Sequence, residues 1–440
     1  MKRGAVRISQ CMIVKNEENN IERALSWGKE IMWEQIVVDT GSTDRTVEAA
    51  KKLGAEVCFF PWIDDFAAAK NFAIERCSGQ WIALLDADEY MAAEDLEKLV
   101  RIIEDLERRG LDGLSTGWQQ LDDEGRIFSS GTQVRFFRNL PDIRYRRRIH
   151  EQLESTTGRE LRLGDAVEEL SVFHTGYQGK AFEEKRKSGR NRRLILEELK
   201  DNPLDHEMMG YMGDECLGDG EKEEAREWFY RSIRHMPPRL PANDQRSAVT
   251  FTRLLMLLAE EEGAAWEKIE DVYKQAAALF PMEADFDYAA GRFFAMRGRA
   301  EEAASHLETA LQKLDRFGCS NKALYLAGDL LGAYELLTRC CFEAGRVQDC
   351  MAYGVTCLKY DRYSMAVLSR LLQLLLPAGT SQDPQTHRQV LEFLFKIYED
   401  SSLKDKLFLI KTAQMAGCTK FGEFMSSRFF MPEERHQLGV

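Results

Sequence analysis

The chain has 440 residues, 44% of them hydrophobic and 30% charged, with a formal charge of -13 and a pI near 5.3. That length and apolar content suffice for two sizeable cores, and so acidic a balance excludes an extended surface for nucleic acid. The longest candidate for a membrane span, Leu368 to Leu376, is too short and contains Arg370, Met1-Lys2-Arg3-Gly4 runs into a strand instead of a long apolar segment, and no transmembrane segment is expected. The ten cysteines lack metal-ligand spacing, so reduced thiols and a cytoplasmic location are expected.

Ile8 to Val14 reads as a first strand ending in Lys15-Asn16-Glu17-Glu18, followed by a helix from Ile21 to Trp27. Gln35 to Val38 is a second strand entering the turn Asp39-Thr40-Gly41-Ser42-Thr43-Asp44. There Gly41 permits positive φ, Ser42 and Thr43 are placed to cap a helix from Arg45 to Leu53, and Gly54 ends that helix. Asp44 is expected to be a first-turn residue favoured by the helix dipole. Trp81 to Leu85 is a buried strand that stops at Asp86-Ala87-Asp88-Glu89. Two carboxylates one residue apart at the end of a parallel strand suit a divalent cation carrying phosphate oxygens, because Mg²⁺ and Mn²⁺ prefer hard oxygen donors. Strands alternating with helices predict a mostly parallel, doubly wound sheet.

These segments carry a resemblance. Met12-Ile13-Val14-Lys15-Asn16-Glu17, Val38-Asp39-Thr40-Gly41-Ser42-Thr43-Asp44, Asp65-Phe66-Ala67-Ala68-Ala69-Lys70-Asn71-Phe72-Ala73 and Asp86-Ala87-Asp88 stand in the order of the inverting, nucleotide-sugar-dependent glycosyltransferases of family 2 with the GT-A fold. The resemblance implies a UDP-sugar donor, with Asp39 accepting the imide N–H of uracil and Asp86 facing the ribose or a metal-bound water. It further implies Asp88 as a ligand of Mn²⁺ or Mg²⁺, Lys70 as a basic contact near the nucleotide, and Val14 and Ala87 lining the nucleotide site.

Beyond an amphipathic helix, Met91 to Arg109, the strands Leu114 to Gln120 and Gln133 to Arg138 flank the turn Asp122-Asp123-Glu124-Gly125-Arg126. They lead to Arg144, Arg146, Arg147 and Arg148 and then His150-Glu151. Related soluble enzymes place a similar pair on the acceptor side, which makes Glu151 the candidate general base; the competing reading is an ion pair with a neighbouring arginine, and the loop at Asp122, Asp123 and Glu124 is a further source of a base. One or two of the four arginines are expected to meet diphosphate or acceptor, the rest solvent. Leu170 to Tyr177 is a closing strand, and by resemblance to GT-A enzymes its His174 is the third member of the metal site.

Charged helical sequence from Lys180 to Leu199 reads as a linker. Beyond it, a tetratricopeptide-like pattern recurs: Met212-Gly213 with Ala225, Phe229, Ser232 and Pro237; Tyr273, Ala276 and Pro281; Ala290-Gly291 with Ala303, Leu307 and Ala310; and Leu337, Cys341, Cys350 and Cys357. The middle two units keep a 34-residue period. Small residues let paired helices approach while large ones fill the grooves between pairs.

The expected architecture is α/β plus all-α: a GT-A, Rossmann-like catalytic domain at 1–178, a linking helix at 179–200 and a TPR-like domain at 201–440. The combination resembles bacterial peptide glycosyltransferases of the sublancin type, which modify a Cys of a bacteriocin precursor. That implies a metal-dependent inverting transferase with a peptide or protein acceptor and a helical domain that binds peptide or forms a homodimer. The alternatives are a transferase extending lipopolysaccharide core or another surface glycan, and a catalytically inactive TPR-type assembly protein.

Overall fold

The computed structural model describes residues 6–175, 189–240, 244–261, 263–317, 324–377 and 383–438. Two compact units divide the chain, Met1–Glu215 and Cys216–Val440. The expected catalytic domain and linker both fall inside the first, together with the start of the expected repeats.

The first unit is built on strands β1 (Ile8–Val14), β2 (Glu34–Asp39), β3 (Glu56–Phe59), β4 (Trp81–Leu84), β5 (Glu89–Met91), β6 (Gly113–Leu121), β7 (Ile127–Arg138), β8 (Ile143–Arg146), β9 (Gln152–Ser155) and β10 (Leu163–His174). Eight of them form one sheet in the order β3-β2-β1-β4-β7-β6-β10-β5, and β8 pairs with β9 separately. The pairs β1–β2, β1–β4, β2–β3 and β6–β10 are parallel, whereas β7 and β5 run antiparallel to their neighbours. The sheet is therefore mostly parallel and curled, with antiparallel strands on the far side of β4. β1 and β4 are buried almost throughout, as strands covered on both faces must be.

Helices α1 (Ile21–Ser26), α2 (Thr46–Lys52), α3 (Phe66–Ile74) and α4 (Leu96–Arg109) follow strands of this sheet. Three expectations are corrected here. The helix expected from Met91 starts at Leu96, because Glu89 to Met91 pairs with β10 as an edge strand. Ser42 and Thr43 do not cap α2; they bind Asn16, whose N–H donates to Ser42 Oγ at 2.9 Å and whose Oδ1 accepts the Thr43 N–H at 2.8 Å. Asp44 lies ahead of the Arg45 N-cap and not in the first turn, and accepts the N–H and hydroxyl of Thr46 and the N–H of Glu18. The turn after β2 is thus latched to the loop after β1. Helices α5 (Arg190–Asp201) and α6 (His206–Gly218) follow β10; the expected strand end at Tyr177 and the start of the linking helix lie outside the described residues.

All described secondary structure of the second unit is helical. Its successive helices include Lys222–His235, Gln245–Glu260, Trp266–Leu279, Asp285–Met296, Ala300–Phe317, Leu330–Glu343 and Val347–Tyr360. Ala225, Phe229, Ser232, Ala276, Ala290, Gly291, Ala303, Leu307, Ala310, Leu337, Cys341, Cys350 and Cys357 are buried, as the repeat pattern expects. Gly291 shows why a small residue is needed: a Cβ there would lie 2.7 Å from Leu307 Cγ on the partner helix. Among the described residues no helix is long and apolar enough to cross a membrane.

Candidate active site

The ends of β1, β2 and β4 meet at one edge of the sheet. Val14 and Asp39 are register partners, and the Val14 carbonyl accepts both the N–H (2.9 Å) and the hydroxyl (3.0 Å) of Thr40. Asp39 is 3% exposed. Its Oδ2 accepts the N–H groups of Gly41 and Ser42 at 3.0 and 3.1 Å, while Oδ1 has only a longer contact, 3.2 Å, from Ser42. The turn fixes the carboxylate through one oxygen and leaves acceptor capacity on the other.

At the end of β4 the two aspartates have different surroundings. Asp86 lies 3.5 Å from Lys70 Nζ and 3.2 Å from Arg135 Nη2, with its side chain 37% exposed. Partial burial opposes its charge, but Lys70, Arg135 and His174 hold its carboxyl well below the usual carboxylate range. Ala87 is buried. Asp88 has neither a Lys nor an Arg beside it among the described residues; its Oδ2 is 3.6 Å from His174 Nε2.

Strand pairing explains that meeting. β5 runs antiparallel to β10 with Glu89 opposite His174, and the Asp88 carbonyl accepts the N–H and hydroxyl of Thr175. The turn Asp86-Ala87-Asp88 is therefore stitched to the end of the closing strand. Trp118 from β6 lies against the His174 ring, centroids 4.9 Å apart. Burial acts to lower the His174 pKa, but the carboxylates of Asp88, Glu89 and Asp86 raise it.

Three residues to which the sequence assigned no role complete the cluster. Glu89 is fully buried and accepts from Trp118 Nε1 (2.8 Å), from Arg135 and from the Asp86 N–H (2.9 Å); its burial raises its pKa. Arg135, on β7, pairs with both Glu89 and Asp86, and its Nε is buried without a hydrogen-bond partner among the described residues. Tyr145, on β8, likewise has a buried hydroxyl without a partner, under the Lys70 ammonium at 5.3 Å from its ring. The available signal was an arginine inside the apolar run Val134-Arg135-Phe136-Phe137, since a buried strand seldom carries a cation without a partner.

Lys70 is 3% exposed, on α3. Its Nζ is 2.6 Å from Glu151 Oε1, so it bridges Glu151 to Asp86. Burial disfavours its charge, but the two carboxylates override that and raise its pKa. Glu151 thus does form an ion pair, with Lys70 and not with an arginine. The four arginines turn to other partners: Arg144 to the carbonyls of Leu140 and Ile143, Arg146 to Glu154, Arg147 to Asp205 and Glu207, and Arg148 to Asp201. The turn at Asp122 is occupied by Arg126.

Residues 9–166 match the family model described as Glycosyl transferase family 2. Residues 9–166 of the first unit are thus similar to family 2 glycosyl transferases, and a helical unit follows the first. The SPbeta prophage-derived glycosyltransferase SunS of Bacillus subtilis is 28% identical over 56% of this chain and 57% of its own length. A TPR repeat-containing protein of Synechococcus elongatus is 30% identical over 53% of this chain and 58% of its own. The chain spans little more than half the length of these two relatives. An uncharacterized glycosyltransferase of Rickettsia typhi is 46% identical over 20% of this chain and 30% of its own. Among solved structures, S. aureus TarS covers 62% of this chain and 55% of its own at 15% identity, with a TM-score of 0.34, too low to bear on the site.

Proposed function

We propose that the first unit transfers a sugar, with inversion, from a UDP-sugar to a side chain of a peptide or protein, a Cys thiol included. The observation that carries this reading is the convergence of Asp39, Asp86, Asp88 and His174 at one sheet edge within a Glycosyl transferase family 2 domain. Asp39 reads the uracil imide through its less engaged oxygen, Val14 and Ala87 line the nucleotide, and Asp86 faces the ribose.

Asp88 and His174 are the residues that suit Mn²⁺ or Mg²⁺. A carboxylate oxygen and an imidazole nitrogen 3.6 Å apart converge as two ligands of one ion do, whereas Asp86 and Glu89 are already neutralised by buried cations. A divalent ion held there would offset the charge of the leaving diphosphate.

Glu151 is the general base. Lys70 holds its Oε1, and Oε2 receives the proton of the acceptor hydroxyl or thiol. As that proton leaves, the acceptor atom bonds to the anomeric carbon and the bond from that carbon to the diphosphate breaks, releasing UDP. No covalent enzyme intermediate is needed.

The peptide acceptor is supported by the motif resemblance to peptide glycosyltransferases of the sublancin type and by stacked helical hairpins, which suit an extended chain. A second copy of this chain is the competing occupant of the helical unit. The donor side is tested by calorimetric titration with UDP, CDP and GDP. A uridine preference that Asp39→Ala removes supports the reading; equal binding of all three, or of none, overturns it. Labelled sugar offered with peptide and oligosaccharide acceptors then decides between protein and glycan.

A further inference from the structure

The loop that carries Glu151 is bent through two uncommon conformations. Arg147 has φ 75° and His150 φ 52°, a left-handed region uncommon for any residue but Gly, though His enters it more readily than Arg. Such residues are strained and persist where the surroundings over-determine them.

The surroundings here are α5, α6 and the residues between them. Arg147 donates to Glu207 and places Nη2 3.0 Å from Asp205 Oδ2. Asp205 also accepts the N–H groups of Glu207 and Met208, so the pair sits at the start of α6. Glu207 further accepts from Gln152 Nε2 at 2.9 Å, on the other side of Glu151. The Arg148 N–H donates to Glu198 on α5 at 2.9 Å, and its guanidinium reaches Asp201 at 2.8 Å. The His150 ring stacks flat on Tyr211 of α6, centroids 3.6 Å apart. From the other side, the Arg148 carbonyl accepts the N–H of Phe66, the first residue of α3, four positions before Lys70. Asn71 exchanges two hydrogen bonds with the backbone of Tyr145.

We propose that α5 and α6 belong to the transfer apparatus, and that the clamp of Arg147 on Asp205 and Glu207 is a positioning device that holds Glu151 in line with Lys70 and the acceptor. This rests on the assignment of Glu151 as base. Residues on both sides of Glu151 are gripped by one helix pair, and the φ values show that the backbone would otherwise relax. A relaxed loop moves Glu151 without moving Asp39, at the end of β2, or Asp86 and Asp88, in the turn after β4. Misplacement of a reacting group by about 1 Å is enough for roughly a hundredfold loss of rate.

The test is steady-state UDP release from the preferred UDP-sugar, beside UDP affinity and melting temperature, for the full chain and for Arg147→Ala, Arg147→Lys and Glu207→Gln. The expected result for Arg147→Ala is a fall in kcat of at least about tenfold, with donor KM and UDP affinity within about twofold of the native protein. Arg147→Lys, which keeps the charge but not the fork, should recover part of it, and Glu207→Gln should fall between. Should Arg147→Ala not fold, the same split is read from Glu207→Gln. Native kcat in folded Arg147→Ala, or kcat and UDP affinity falling together, overturns the clamp while leaving the donor reading intact. Native protein that binds UDP but releases none from any UDP-sugar overturns the catalytic reading, and the clamp with it.

Discussion

Both units bury charge, but they bury it differently. In the helical unit the buried aspartates tie helix ends together. Asp285, in the first turn of its helix, accepts the N–H groups of Tyr325 and Leu326, and Asp405 accepts the Glu399 N–H and the Tyr363 hydroxyl. Asp287 is held by Tyr273, His306 and Lys313. Each satisfies groups that would otherwise be stranded at a helix end or between helices.

At the sheet edge, Lys70, Asp86, Glu89, Arg135 and Glu151 come from α3, the turn after β4, β5, β7 and a loop, and they mostly neutralise one another. Replacing such a network by apolar residues is often neutral or stabilising, so architecture alone gives it little reason to exist. A cluster that the fold does not need, at the end of parallel strands, is the mark of a site.

The comparison breaks first at Lys70. Lys70→Met leaves Glu151 without its cation and Asp86 with Arg135 alone, and unfolding free energy should drop by about 3 kcal/mol or more, measured by urea titration. Lys70→Met combined with Glu151→Gln should regain a good part of that. In the helical unit, Asp287→Asn keeps an acceptor for Tyr273 and should lose only about 1 kcal/mol; an equal loss at both places would erase the distinction.

Glu151→Gln removes the base and keeps the shape. Turnover should fall by about 10²- to 10⁴-fold while UDP affinity, read by calorimetry, stays native; unchanged turnover would restrict Glu151 to its ion pair. Gly291→Ala should destabilise by about 1–3 kcal/mol through its contact with Leu307 and leave UDP affinity untouched, which thermal melts with and without UDP will show.

The smallest effect concerns pH. Burial raises the Glu283 carboxyl to about 7. The folded state then binds the proton more tightly than the unfolded chain, so this contribution is complete at low pH and is lost as pH rises toward 7. Glu283→Gln should therefore match the native melting temperature near pH 4 and exceed it by a few degrees, about 2–4 °C, at pH 8. The same gap at both pH values would contradict the assignment.

Much of this was legible in the sequence because it depends on local chemistry. β1 was bounded to the residue, because the polar run Lys15-Asn16-Glu17-Glu18 closes it. Asp39, Asp86 and Asp88 stood out as carboxylates ending such runs, and Gly291 with Ala303 and Leu307 gave away one helical hairpin. What stayed hidden depends on pairing between distant strands. Glu89 looked like the end of a motif until β5 joined β10, and Arg135 looked like one more cation until β7 placed it beside β4. The partner of Glu151 was misjudged because neighbours in sequence were preferred over α3. Ser42 and Thr43 were read as caps because nothing local announces Asn16 across the turn.

The most direct test of the account is UDP release by the purified chain from a panel of UDP-sugars, with Mn²⁺, Mg²⁺ or EDTA, beside Asp88→Ala. The account predicts release from one UDP-sugar above the others, abolished by EDTA and reduced at least about a hundredfold in Asp88→Ala. Release that survives both EDTA and Asp88→Ala, or native protein that neither binds UDP nor releases it, would contradict the account.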